Sequence, residues 1–89
     1  MVVYVLDKAS EKVRGELSLW CIEVKPGVFI GNLSKLVREK IWDLIWTEPN
    51  HNGSLMIWST NTEQGFDIDM IGLPGRRLVD LDGLKMILK

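Results

Sequence analysis

Ile22-Glu23-Val24-Lys25-Pro26-Gly27-Val28-Phe29-Ile30 is the stretch on which the topology turns. Two short apolar runs flank a Lys-Pro-Gly turn. The pattern reads as a short hairpin or as one strand with a bulge, and periodicity leaves both open. Upstream, Val2-Val3-Tyr4-Val5-Leu6 is a β-branched and aromatic run, expected to form a buried first strand. Asp7-Lys8-Ala9-Ser10 breaks that pattern. Ser10 is a good N-cap for a helix starting at Glu11, because its hydroxyl accepts an orphan backbone N–H. Val13, Leu17, Trp20 and Cys21 follow at helical spacing and make the expected buried face. Gly15 inside that helix costs about 1 kcal/mol relative to Ala, which suggests close packing or close approach of a ligand.

Downstream, Gly31-Asn32-Leu33-Ser34 offers Asn32 or Ser34 as the cap of a second helix. Leu33, Val37, Ile41, Leu44 and Ile45 make one apolar stripe, widened by Trp42 and Trp46. Lys35, Arg38, Glu39, Lys40 and Asp43 form its wet side. Glu48-Pro49-Asn50-His51-Asn52-Gly53 is a turn-rich stop. Leu55-Met56-Ile57-Trp58 predicts another strand. Asn61-Thr62-Glu63-Gln64-Gly65 connects it to Phe66-Asp67-Ile68-Asp69-Met70-Ile71, which alternates as a half-exposed strand. Residues 72–75 form a loop that delivers Arg76-Arg77. Residues 78–89 read as a final extended segment. Within it Val79-Asp80-Leu81-Asp82-Gly83-Leu84 is too polar for a core strand and too apolar for a free tail, so it is expected to finish a sheet against a partner. The order β-α-β(β)-α-β-β plus a tail is the split β-α-β plan of an α+β, ferredoxin-like fold: an antiparallel sheet with two helices on one face. The expected organisation is one domain over residues 1–77 and a C-terminal tail strand over residues 78–89.

Composition narrows the function. Eighty-nine residues bury only about 60–65% of their unfolded surface, so the fold gains much from dimerising. The net charge of −1 gives no bulk basic field, and any nucleic-acid contact must come from local patches. The single cysteine, Cys21, makes no internal disulfide and fits a buried apolar role in a reducing compartment. The single histidine, His51, sits in a loop, so a zinc site is not expected. The first residues lack the basic and apolar pattern of a signal peptide, and no stretch is long enough to span a membrane.

The candidate chemistry is sparse. Asp7 stands just past the first strand, as a turn carboxylate or as a metal ligand. One carboxylate is too few for magnesium, but a two-fold dimer axis supplies a second. Lys8, Lys12 and Arg14 cluster around the start of the first helix, as a solvated face or as a phosphate grip. Arg76-Arg77 after Pro74-Gly75 is the better candidate for a phosphate contact. Arg38 and Lys40 read as plain surface charges. The four tryptophans invite base stacking, but Trp20, Trp42 and Trp58 fall on or beside apolar stripes and are expected in the core, with Trp46 partly exposed. Asp67, Asp69, Asp80 and Asp82 alternate along strands and read as a solvated or partner-facing edge. No nucleophile elbow, phosphate-cradling loop or His-based pair is present in the sequence.

Taken together, several stretches carry a resemblance: Arg14-Gly15-Glu16-Leu17-Ser18-Leu19-Trp20, Glu23-Val24-Lys25-Pro26-Gly27-Val28-Phe29-Ile30-Gly31, Val37-Arg38-Glu39-Lys40-Ile41-Trp42, Trp58-Ser59-Thr60-Asn61-Thr62-Glu63-Gln64-Gly65-Phe66 and Val79-Asp80-Leu81-Asp82-Gly83-Leu84. In order and spacing they resemble the small core CRISPR-associated protein of the type I-E adaptation machinery. The resemblance implies a ferredoxin-like homodimer in the prokaryotic cytoplasm. That dimer bridges two dimers of the CRISPR integrase subunit, and the assembly captures protospacer double-stranded DNA and inserts it into the array. It implies DNA-backbone contacts at Lys12, Arg14, Arg76 and Arg77. It implies a tail that pairs across the dimer and docks the integrase through Leu78, Val79, Asp80, Leu81, Asp82, Leu84 and Met86, by strand addition. Asp7 matches the acidic position tied to metal-dependent nuclease activity in some relatives, with Mg2+ at the dimer interface. The expected role is therefore a DNA-binding adaptor. The alternative is a magnesium-dependent endonuclease on RNA or duplex DNA with Asp7 catalytic.

Overall fold

The structure is a computed structural model that describes residues 1–48, 53–71, 77–81 and 84–88, the last two stretches by their backbone. The chain runs β1 (Val2–Val5), α1 (Glu11–Ser18), β2 (Ile22–Lys25), β3 (Val28–Gly31), α2 (Lys35–Trp46), β4 (Leu55–Ser59) and β5 (Phe66–Met70). Two further strands follow, β6 (Arg77–Leu81) and β7 (Leu84–Leu88). The main sheet has the order β2-β3-β1-β4-β5, and each neighbouring pair is antiparallel. The first β-α-β-β-α-β therefore closes as a ferredoxin-like α+β domain, with β5 added beside β4.

The ambiguous stretch is a hairpin, and it also carries a bulge. Strands β2 and β3 pair through Ile22↔Ile30 and Glu23↔Phe29, and the register shifts between Glu23 and Lys25. Gly27 makes the turn possible. Its φ is +83°, in the left-handed region, and its carbonyl accepts the Leu6 N–H at 2.7 Å. The Glu23 carboxylate accepts the Gly27 N–H at 3.0 Å and closes the turn from the other side.

Both helices start on serine caps. The hydroxyl of Ser10 accepts the Val13 N–H at 3.2 Å, and that of Ser34 accepts the Val37 N–H at 3.3 Å. Ser34, rather than Asn32, is the second cap. Helix α1 buries Val13 and Leu17, and α2 buries Ile41, Trp42 and Ile45. They meet Val2, Tyr4, Leu6, Phe29 and Met56 of the sheet in one core, which Cys21 and Ile71 complete. Each fully buried large side chain there contributes about 1.5–3 kcal/mol. Gly31 lets the end of α1 come close, since a Cβ there would lie 2.6 Å from the Trp20 carbonyl oxygen.

Four features depart from the sequence reading. Trp20 is 48% exposed, not core. Helix α1 ends at Ser18, and the Leu19 and Trp20 amides bond to carbonyls three residues back, so this tightened turn swings Trp20 off the buried stripe. Gly15 marks no close approach, because nothing lies within 4 Å of its missing Cβ. Arg38 is not a plain surface charge: its side chain is 12% exposed, and its guanidinium carbon stands 4.5 Å from the Trp58 ring centroid. Asp69 is not a solvated edge acid. It pairs with buried Met56 in the register, so it faces the helices and accepts the Trp42 indole N–H at 3.0 Å.

The stretch read as one extended tail contains two strands. Strands β6 and β7 pair antiparallel, from Arg77↔Leu88 to Leu81↔Leu84, as a separate two-stranded sheet. Asp82 and Gly83 lie outside the described residues, yet Asp-Gly between two apolar runs is a strong hairpin signal in sequence.

Candidate nucleic-acid and partner interface

The two faces of the sheet differ in what covers them. Val2 and Tyr4 of β1 point into the helix-covered core. Side chains alternate along a strand, so Val3 and Val5 point to the other face. The register places Ile30 and Val28 of β3 beside them, and Ile57 and Leu55 of β4 on the other flank. Ile68 and Met70 of β5 continue the row, Ile68 buried and the others half-buried, and Ile22 of β2 ends it, 73% exposed. Neither helix packs on this face, and it is apolar across the full width of the sheet.

Asp7 is exposed at the end of β1. Gly53, with φ +89°, brings the start of β4 against it: a Cβ on Gly53 would lie 3.2 Å from Asp7 Cβ. Among the described residues no three or more His, Cys, Asp or Glu side chains group as metal ligands. Magnesium is held by one or two carboxylates with waters and phosphates around it, so Asp7 would serve as one such ligand.

The basic residues do not form one cluster. Lys8 precedes the helix, which begins at Glu11. Lys12 and Arg14 are two positions apart on α1, so they project roughly 200° apart around its axis. Arg14 leans toward β2, where its guanidinium lies 3.4 Å from the Glu23 carboxylate, a pair too exposed to contribute much stability. Lys12 instead lines a groove between α1 and α2 with Glu16, Trp20, Val37, Lys40, Ile41 and Leu44. Arg76 and Asp82 lie outside the described residues. Arg77, Leu78, Val79, Asp80 and Leu81 form β6, and Leu84 and Met86 lie in β7, all placed by backbone alone.

Two buried groups show altered acidity. Burial pushes the Tyr4 phenol well above its usual range, with Cys21 adding to the shift and Arg38 opposing it. Burial likewise raises the Cys21 thiol, which suits a packed side chain and not a reactive one.

The fold and these surfaces define a small ferredoxin-like protein with an apolar sheet face that neither helix covers, and dispersed cations. The family described as "CRISPR-associated protein (Cas_Cas2CT1978)" matches residues 1–86, and the chain belongs to it. No helix among the described residues is long and apolar enough to cross a membrane.

Proposed function

We propose that this chain is the DNA-binding adaptor of CRISPR adaptation: a cytoplasmic homodimer that bridges integrase dimers while they capture and insert protospacer DNA. The apolar sheet face that neither helix covers supports the proposal. A small fold with an apolar face across its whole sheet gains by covering it, and a second copy offers an identical, self-complementary face. The membership in a CRISPR-associated family supplies the process.

In this role the cations hold the DNA backbone and the partner supplies the chemistry. Lys12, Arg14, Arg76 and Arg77 contact phosphates, and each contributes a salt-dependent, sequence-independent increment. The tail, residues 78–89, pairs with the second copy and docks the integrase through Leu78, Val79, Asp80, Leu81, Asp82, Leu84 and Met86. Replacing Arg76 and Arg77 together by Ala, or deleting residues 78–89, abolishes spacer acquisition in cells that keep the folded domain. Normal acquisition by either variant would refute the adaptor.

The second reading rests on Asp7 being exposed at a sheet end. Two copies related by a two-fold axis would pair their carboxylates around Mg2+ and make an endonuclease acting on RNA or duplex DNA. Cleavage by the wild type that disappears in Asp7→Ala would favour it.

A further inference from the structure

The groove between α1 and α2 has a makeup of which the duplex-holding role uses Lys12 alone. Its cavity measures about 630 Å³, within the range of small-ligand sites. Val37, Ile41 and Leu44 give it an apolar floor, and Trp20 stands at one end, half exposed. Lys12 from α1 and Lys40 from α2 both line it, and among the described residues neither has an ion-pair partner. An exposed aromatic with free cations from two separate elements is the combination that binds single-stranded nucleic acid: base on ring, phosphates on lysines.

We propose that this groove takes an unpaired nucleotide of a single strand, its base stacked on Trp20 and its phosphates at Lys12 and Lys40. Glu16 lines the same groove, one turn along α1 from Lys12. Its carboxylate repels phosphate, so the backbone keeps to the lysines and the base takes the apolar end. This site shares Lys12 with the duplex contacts but differs from them in ligand and in its other residues, Trp20 and Lys40, and oligonucleotide binding is read separately from spacer acquisition.

The test uses the full chain and a labelled five-nucleotide oligothymidylate, followed by fluorescence anisotropy over a range of salt. Trp20→Leu weakens binding about tenfold or more, the loss of one stacked base. Lys12→Gln with Lys40→Gln, both surface changes that leave the core intact, lowers the salt slope by about 1.4. Glu16→Gln tightens binding, and Lys35→Gln, an exposed α2 lysine away from the groove lining, leaves it unchanged. Wild-type affinity in Trp20→Leu, or an unaltered salt slope in the lysine pair, overturns the proposal. So does a Lys35 effect as large as theirs. If a leucine- and glutamate-containing peptide binds the groove and the oligonucleotide does not, the surface is a protein-docking site and the proposal is wrong.

Discussion

Nothing lies within 4 Å of the point where a Cβ on Gly15 would sit. The residue therefore costs helix propensity without any packing return. Gly15→Ala is expected to stabilise the fold by about 1 kcal/mol, a rise in Tm of about 4–8 °C in a domain of this size. Thermal unfolding followed by circular dichroism reads it directly, and an unchanged or lower Tm would show a constraint on this helix face beyond propensity. Tyr4 governs a different response. Its phenol donates to the Arg38 carbonyl at 2.8 Å and holds its proton to higher pH than in the unfolded chain. The native state then binds more protons than the unfolded one under alkaline conditions, so stability is full below the unfolded phenol's pKa of about 10 and falls as pH rises above it. Urea unfolding should show that fall beginning near about pH 10 and continuing at higher pH. Tyr4→Phe should flatten it while losing about 1 kcal/mol at neutral pH with the hydrogen bond. An equally steep fall in Tyr4→Phe would place the alkaline sensitivity elsewhere, with Cys21 the next group to examine.

At the scale of elements, the β2–β3 hairpin depends on Gly27 as α1 does not depend on Gly15. A Cβ on Gly27 would stand 2.4 Å from the Leu6 carbonyl oxygen, on a backbone with φ +83°. Gly27→Ala should therefore cost at least about 2 kcal/mol, measured as a lower urea midpoint with unchanged slope; a loss below about 0.5 kcal/mol would mean the turn rebuilds itself. The hairpin also shows what the sequence made legible. The helix start at Ser10, the succession of strands and helices and the apolar stripe of α2 follow from caps and periodicity, which are local, while the second cap stayed open between Asn32 and Ser34. The bulge after Glu23 depends on pairing with β3, and pairing is not local. Trp20 left its stripe because a helix end tightened. Arg38 turned inward because the Trp58 ring, twenty residues away, offered a face to its guanidinium. Asp69 was legible as strand alternation, but its face was not, because that needed the β4–β5 register. The tail hairpin was within reach: Asp82-Gly83 carried the signal, and the reading of one extended segment passed over it. The groove between α1 and α2 required both helices to be placed, and no spacing in the sequence brings Lys12 and Lys40 together.

At the scale of the whole molecule, the helices cover one face of the sheet and leave an apolar one. The proposed dimer covers that face with a second copy. Ile57 and its neighbour Val3 lie on it and pair across β1 and β4. Ile57→Glu should convert the proposed dimer to a monomer in sedimentation equilibrium while the circular dichroism spectrum is kept, because an unpaired charge is costly inside an interface and less so at a half-exposed strand position. A wild-type monomer at tens of micromolar would contradict the proposed dimer. The central claim is that this chain holds DNA for a partner's chemistry and performs none itself. The measurement that tests it most directly combines the purified chain, its cognate integrase subunit, a short duplex and a plasmid carrying the repeat, and scores insertion with wild type, with Asp7→Ala and without the chain. An adaptor predicts that insertion requires the chain and proceeds equally with Asp7→Ala. Insertion without the chain, or its loss in an Asp7→Ala variant that still assembles with the integrase, would contradict it.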